Sequence, residues 1–179
     1  MTLLIKEIVE DVQYLQEDIL NEEGEKTGKK NYFIEGIIMQ GDIKNRNGRL
    51  YPATILEAET KRYNESYVSK NRAYGELGHP AGPTINLDRV SHMFTDLRKE
   101  GSNIVGRAKI METPMGKIVK NLIDEGGLVG ISSRGMGSIK QNKDGVMEVQ
   151  TGDIVQYVYI HQYNFLGTDF YACAKDFYI

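Results

Sequence analysis

The chain has 179 residues, long enough for one domain without disulfide staples, and its 22 Lys and Arg against 25 Asp and Glu give a net charge of −3. That balance, with a pI near 5.7, argues against a dedicated duplex-binding protein whose affinity comes from neutralised phosphates. The composition is 40% hydrophobic and 26% charged, and no apolar run approaches the roughly 20 residues of a membrane-spanning helix, which excludes an integral helical membrane protein. The opening Met-Thr-Leu-Leu-Ile-Lys-Glu has no charged leader ahead of an apolar block, so a cytosolic protein is expected. Cys173 is the single cysteine. It can neither close an internal disulfide nor hold a structural zinc alone, and its apolar neighbours Phe170, Tyr171 and Ala172 suit a buried residue better than a nucleophile.

Nineteen glycines and eleven tyrosines, with no tryptophan, punctuate short apolar runs and point to a strand-rich chain. Two apolar segments with interspersed acids, 3–8 and 12–20, come first. The polar stretch 21–30 reads as a loop at a solvated hairpin tip. Residues 32–43 are rich in β-branched and aromatic side chains and predict a central strand. Turn formers at 45–51 precede Pro52, which opens a helix expected over 53–68. Beyond the Gly75–Pro83 segment, strands are expected over 90–97 and 104–110, joined by a tight turn at 99–103. Thr113-Pro114 is an N-cap followed by proline at the first helical position, so 114–124 should be helical, stopping at Gly126-Gly127. Strands are then expected over 129–140, 146–150, 154–163 and 165–174. No repeat, low-complexity tract or linker divides the chain, so a single domain over 1–179 is expected.

Two segments carry candidate chemistry. In Gly75-Glu76-Leu77-Gly78-His79-Pro80 the proline restricts the residue before it to extended conformations, so the His79 imidazole can be aimed. In Gly130-Ile131-Ser132-Ser133-Arg134-Gly135 there are two hydroxyls, a guanidinium and glycine amides open to an oxyanion. Acyl-bond hydrolysis needs a hydroxyl nucleophile, a base, a group that orients the base, and donors for the developing oxyanion. All these types are present. The order His then Ser, and Arg134 in place of the second glycine of a G-x-S-x-G elbow, exclude an α/β-hydrolase. No Walker-type phosphate loop occurs. A metal site from Glu76, His79 and His92 is disfavoured because Pro80 and the glycines break any helical ligand pair. From spacing alone, His79 as a turn residue and Ser132–Gly135 as a polar loop or anion nest stand beside the catalytic reading.

At these residues the sequence resembles the prohead core proteases of T-even-type tailed bacteriophages, a family related to the herpesvirus capsid-maturation protease. The resemblance spans about 34–169. It rests on Ile34-Glu35-Gly36-Ile37 with Met39-Gln40, Asn45-Arg46-Asn47 with Arg49-Leu50-Tyr51-Pro52, Gly75-Glu76-Leu77 with His79-Pro80, Gly106-Arg107-Ala108, and Ser132-Ser133-Arg134-Gly135 with Gly137-Ser138. It implies an α+β, strand-rich fold, a herpesvirus-protease-like β-barrel with surrounding helices. It also implies a serine endopeptidase that cleaves scaffold, core and capsid proteins inside the assembling prohead in the host cytoplasm. The family histidine falls on His79 and its nucleophile on Ser132, with Ser133 as the neighbour that alternation along a strand turns the other way. The third member falls on Asp169, in Leu166-Gly167-Thr168-Asp169-Phe170, with Glu76 or no carboxylate as alternatives. Arg134 and the Gly135 amide are the candidate oxyanion donors, against an Arg134 that merely ties a loop to an acidic neighbour. Asn45, Arg46, Asn47 and Arg49 suit a turn better than a substrate groove. The resemblance implies no metal or cofactor and a homo-oligomer, while the apolar-run lengths and acidic pI lead to no membrane or nucleic-acid partner being expected. Residues 1–30 are expected to form a mobile or self-trimmed segment, because Ile5-Lys6-Glu7 and Leu15-Gln16-Glu17 match the family's Ile/Leu-x-Glu cleavage context. The rival is an inactive capsid-assembly or scaffold-binding module of the same fold.

Overall fold

A computed structural model describes residues 3–9, 12–45, 48–78 and 84–162, with side chains for 12–45, 48–78 and 84–150. In chain order the elements are β1 (Leu3–Val9), β2 (Val12–Leu20), β3 (Lys26–Gln40), β4 (Arg49–Leu50), α1 (Ala53–Ser66), β5 (Tyr74–Leu77), β6 (Val90–Glu100), β7 (Asn103–Ile110), α2 (Pro114–Asp124), β8 (Val129–Gln141) and β9 (Met147–Gln162). Single 3₁₀ turns occupy Val68–Lys70 and Leu87–Arg89. The strands join in one sheet ordered β1-β8-β9-β5-β6-β7-β3-β2, with β4 beside β9. The strand-rich α+β expectation holds.

β1 and β2 are neighbours in the chain, separated by residues 10 and 11, yet they occupy the two ends of the sheet. The sheet curls until those ends approach, with β1 against β3 and β8 against β2 and β3. Among the described residues the hydrogen-bonded ladder has no rung between β1 and β2. The core is built from Ile34 and Ile38 of β3, Phe94 and Leu97 of β6, Ile104 and Ala108 of β7, Ile131 of β8, and Leu56 and Tyr63 of α1. Leu56, Thr60 and Tyr63 recur at helical spacing, and that stripe seats α1 toward β6, β7 and β9. Asn64 Nδ2 adds a hydrogen bond to the Leu97 carbonyl at 2.8 Å.

Helix α2 matches its expected bounds because its start is written locally. Thr113 caps it by accepting from Gly116 N at 3.1 Å, and Pro114 fills the first turn. Gly116 is required there, since a Cβ would lie 1.9 Å from the Met111 carbonyl oxygen. The far end of α2 meets β2 and β3, where Lys120 Nζ sits 4.5 Å over the Tyr32 ring and Asp124 accepts from the Tyr14 hydroxyl at 3.4 Å.

Several boundaries depart from expectation. Residues 26–30 are strand, because Lys26 and Lys30 pair with Leu20 and Asp18 across the hairpin and leave only 21–25 as the tip. Lys26 Nζ reaches Asp18 at 2.6 Å, which shows how a polar segment can be a solvated ladder. Asp42 takes φ +59, which ends β3 at Gln40 rather than at 43. α1 stops at Ser66, ahead of the 3₁₀ turn. β9 runs unbroken where two strands were expected, since Gly152 and Asp153 stay paired with Gly137 and Met136. The expected strand over 165–174 lies outside the described residues, as do Arg46 and Asn47. The turn reading of their neighbours is met: Asn45 N donates to the Arg49 carbonyl, Arg49 N donates to Asn45 Oδ1, and Gly48 takes φ +76.

Candidate active site

The site is assembled by three neighbouring strands, β5, β9 and β8. Glu76 of β5 is in register with Tyr159 of β9, and Tyr159 with Ser132 of β8. Glu76 and Ser132 therefore occupy one row of the sheet, about 10 Å apart at two strand spacings. Leu77, Ile160 and Ile131 form the next row. The chain leaves β5 directly past this row, and the next residue after Gly78 is His79. His79 and residues 80–83 lie outside the described residues, as do Asp169 and Cys173. His161 is placed in β9 opposite Gly130.

Both flanks of the His79 segment are held. Glu76 is fully buried, so its carboxylate requires partners. Its Oε1 accepts from Asn86 N at 2.8 Å, and Oε2 lies 3.8 Å from Arg89 Nε. Arg89 Nη2 donates in turn to the Leu77 carbonyl. Gly78 takes φ +82, and a Cβ there would meet Arg89 Nη2 at 2.6 Å, so glycine allows the guanidinium to lie across the exit from β5. Glu76 and Arg89 thus clasp the base of the 78–89 connection between β5 and β6. Sequence reasoning offered Glu76 as an alternative triad carboxylate; in the structure its Oε1 accepts from Asn86 N, while its Oε2 accepts no hydrogen bond. The clasp was not read from the sequence, although the partners lie only 13 positions apart.

On β8, Ser132, Ser133 and Arg134 are all buried. Residues two apart on a strand share a face, so Ser132 and Arg134 project together and Ser133 projects oppositely. Arg134 Nη2 contacts the Thr84 carbonyl at 3.4 Å. That contact brings the far flank of the His79 segment over the face that carries Ser132. The contact ties Arg134 to the loop that follows the His79 segment. Two register shifts between β8 and β9 bracket this stretch, at Ser132/Ser133 and at Arg134/Met136. Bulges of this kind locally increase twist and re-aim side chains, and they recur beside active sites. Gly135 is half-buried between the two strands that flank β8, opposite Ile5 of β1.

A second imidazole, His92 of β6, is fully buried opposite Gly75. Its Nδ1 is 2.8 Å from Ser91 Oγ, and its ring meets Phe94 edge-on at 5.9 Å. This hydroxyl–imidazole pair is formed by adjacent residues within the packed layer, with Ser91 fully buried as well.

Comparison with known proteins places most of the described region in one group. Residues 2–159 match the family model described as prohead core protein serine protease. The chain is 35% identical over 150 residues to the prohead core protein protease of Enterobacteria phage T4, covering 82% of this chain and 68% of that protein. It also superimposes on the solved bacteriophage T4 capsid assembly protease, gp21, with a TM-score of 0.78 and 29% identity, covering 89% of this chain and 97% of the other.

Proposed function

The chain belongs to the prohead core protein serine protease family and is a protease of the phage capsid-assembly type; from that premise we propose that Ser132 is its nucleophile and His79 its general base. In this reading the Ser132 Oγ forms a bond to the carbonyl carbon of the scissile peptide while its proton passes to the His79 imidazole. The same proton then goes to the departing amine as the C–N bond breaks. Water, activated by the same imidazole, hydrolyses the acyl-enzyme and returns Ser132 to its starting state.

One observation carries the assignment: Arg134, on the Ser132 face of β8, contacts Thr84 at the end of the segment that contains His79. Arg134 and the Gly135 amide are the proposed oxyanion donors, Asp169 the proposed orienting carboxylate. Glu76 is a positioning residue, holding through Asn86 and Arg89 the connection on which His79 is borne. The proposed substrates are scaffold, core and capsid proteins of the prohead, with this chain's own N-terminal segment among them, and the proposed place of action is the assembling prohead in the host cytoplasm.

A fluorophosphonate probe, located by peptide mass mapping, tests the pair. Attachment at Ser132 that is lost in His79→Ala is the expected result. Attachment at Ser133, or labelling that persists without His79, would overturn the assignment.

A further inference from the structure

The strand that carries Ser132 has two neighbours. On one side is β9, which leads through β5 to the His79 connection; on the other, among the described residues, is β1. β1 is terminal in the sheet, and its pairing runs antiparallel along β8 from Leu3↔Gly137 to Val9↔Ile131. Within that span Ile8 stands opposite Ser132, Glu7 opposite Ser133, Lys6 opposite Arg134 and Ile5 opposite Gly135. Every residue proposed for the β8 half of the chemistry thus has a β1 residue across from it. The Glu7–Ile8 peptide bond lies across from the Ser132–Ser133 bond.

A strand edge binds an extended polypeptide through main-chain hydrogen bonds, with affinity spread along the backbone and little demand on sequence. Without β1, β8 would present such an edge over seven residues, alongside the buried Ser132. With β1 in place the edge is filled by this chain. Like β2 at the other end of the sheet, β1 has ladder bonds to a single neighbour among the described residues, so removing it disrupts less than removing β8, β9, β6 or β7, each paired on both sides.

We propose that β1 is an exchangeable resident of the β8 edge, a segment of the protein's own chain that occupies the position an incoming extended polypeptide must take, and that it leaves when such a polypeptide replaces it. The protease reading determines what the incomer meets there; strand exchange itself rests on the register alone.

A full-length variant carrying Leu4→Cys and Met136→Cys tests this, in a background of Cys173→Ala and Ser132→Ala. Leu4 and Met136 are direct partners, and opposed residues of an antiparallel pair lie about 4.5–5.5 Å apart at Cα, within the reach of a disulfide. Oxidised and reduced forms share one sequence, so a folding defect would affect both. The probe is a fluorescein-labelled peptide with the sequence of residues 3–9, followed by anisotropy as the protein is titrated into the millimolar range that competition with the tethered strand demands. The reduced form is expected to bind it at least about tenfold more tightly than the oxidised form. Equal binding by the two forms, binding by neither, or failure of the disulfide to close would each overturn the proposal. If the reduced protein binds and the oxidised one does not, yet reduced protein with Ser132 restored neither cleaves peptide nor takes the fluorophosphonate, strand exchange stands and the assignment of Ser132 falls.

Discussion

At the scale of single residues, alternation along β8 is what favours Ser132 over Ser133 in the proposed mechanism. Arg134 reaches Thr84 from the Ser132 face, while Ser133 projects from the other face. Ser132→Ala is therefore expected to lower kcat/KM on a scaffold-derived peptide by about 10³-fold or more. Ser133→Ala should change it only a few-fold, because that hydroxyl packs away from the His79 connection. The same steady-state assay on both variants checks the prediction. A second residue-scale expectation concerns Tyr14, whose phenol is pushed up to about 12 from 10.0 by burial and by the neighbouring Asp124 carboxylate. A folded-state value above the unfolded one means the folded state keeps its proton longer. The contribution of Tyr14 is thus full below pH 10 and fades as pH rises through about 12. Urea unfolding at pH 9 and pH 11.5 should show a smaller loss of stability in Tyr14→Phe than in the unmodified protein. The residue types needed for acyl transfer were legible in the sequence, since His79, Ser132 and Arg134 could be singled out by chemistry. The clasp of Glu76 and Arg89 was not, because a buried carboxylate and its partners are recognised only once burial and the path of the connection are known.

At the scale of elements, legibility follows how local the determining interaction is. α2 could be bounded from sequence because its cap, its N1 proline and its closing glycines are contiguous. β5 escaped notice because four residues, Tyr74-Gly75-Glu76-Leu77, include a glycine and an acid and show no alternation; its partners β6 and β9 impose the strand. The Lys-rich start of β3 looked like loop for a similar reason, since polarity signals exposure and a hairpin arm can be exposed while fully paired. For α2, Thr113→Ala should cost about 1 kcal/mol of stability, the usual loss of an N-cap. Gly116→Ala should cost more than that, because its Cβ cannot be placed without displacing the Met111 carbonyl. Chemical denaturation of the two variants side by side gives the order.

At the scale of the whole molecule, what holds a strand beyond its ladder orders its availability. Glu7 lies in β1 and Glu17 in β2, each a strand with one ladder neighbour among the described residues, but the Glu17 side chain also pairs with Arg107 of β7. If the protein trims itself at both Ile-Lys-Glu and Leu-Gln-Glu, the cut after Glu7 should accumulate first and that after Glu17 later. Timed intact-mass spectra of the protein, with Ser132→Ala as the uncut control, check the sequence of events. The strand-rich class was readable from glycine and tyrosine usage, but the pairing of β1 with β8 was not, because it joins residues more than a hundred positions apart and leaves no local trace.

The two-residue link between β1 and β2 has a quantitative consequence. A segment tethered so closely to its docking edge competes at an effective concentration on the order of millimolar. A free polypeptide of equal intrinsic affinity at micromolar concentration would then hold the edge about a thousandth as often. Such a protein would stay idle in dilute solution and become busy only where polypeptide is crowded to comparable density, so confinement alone would serve as its timer.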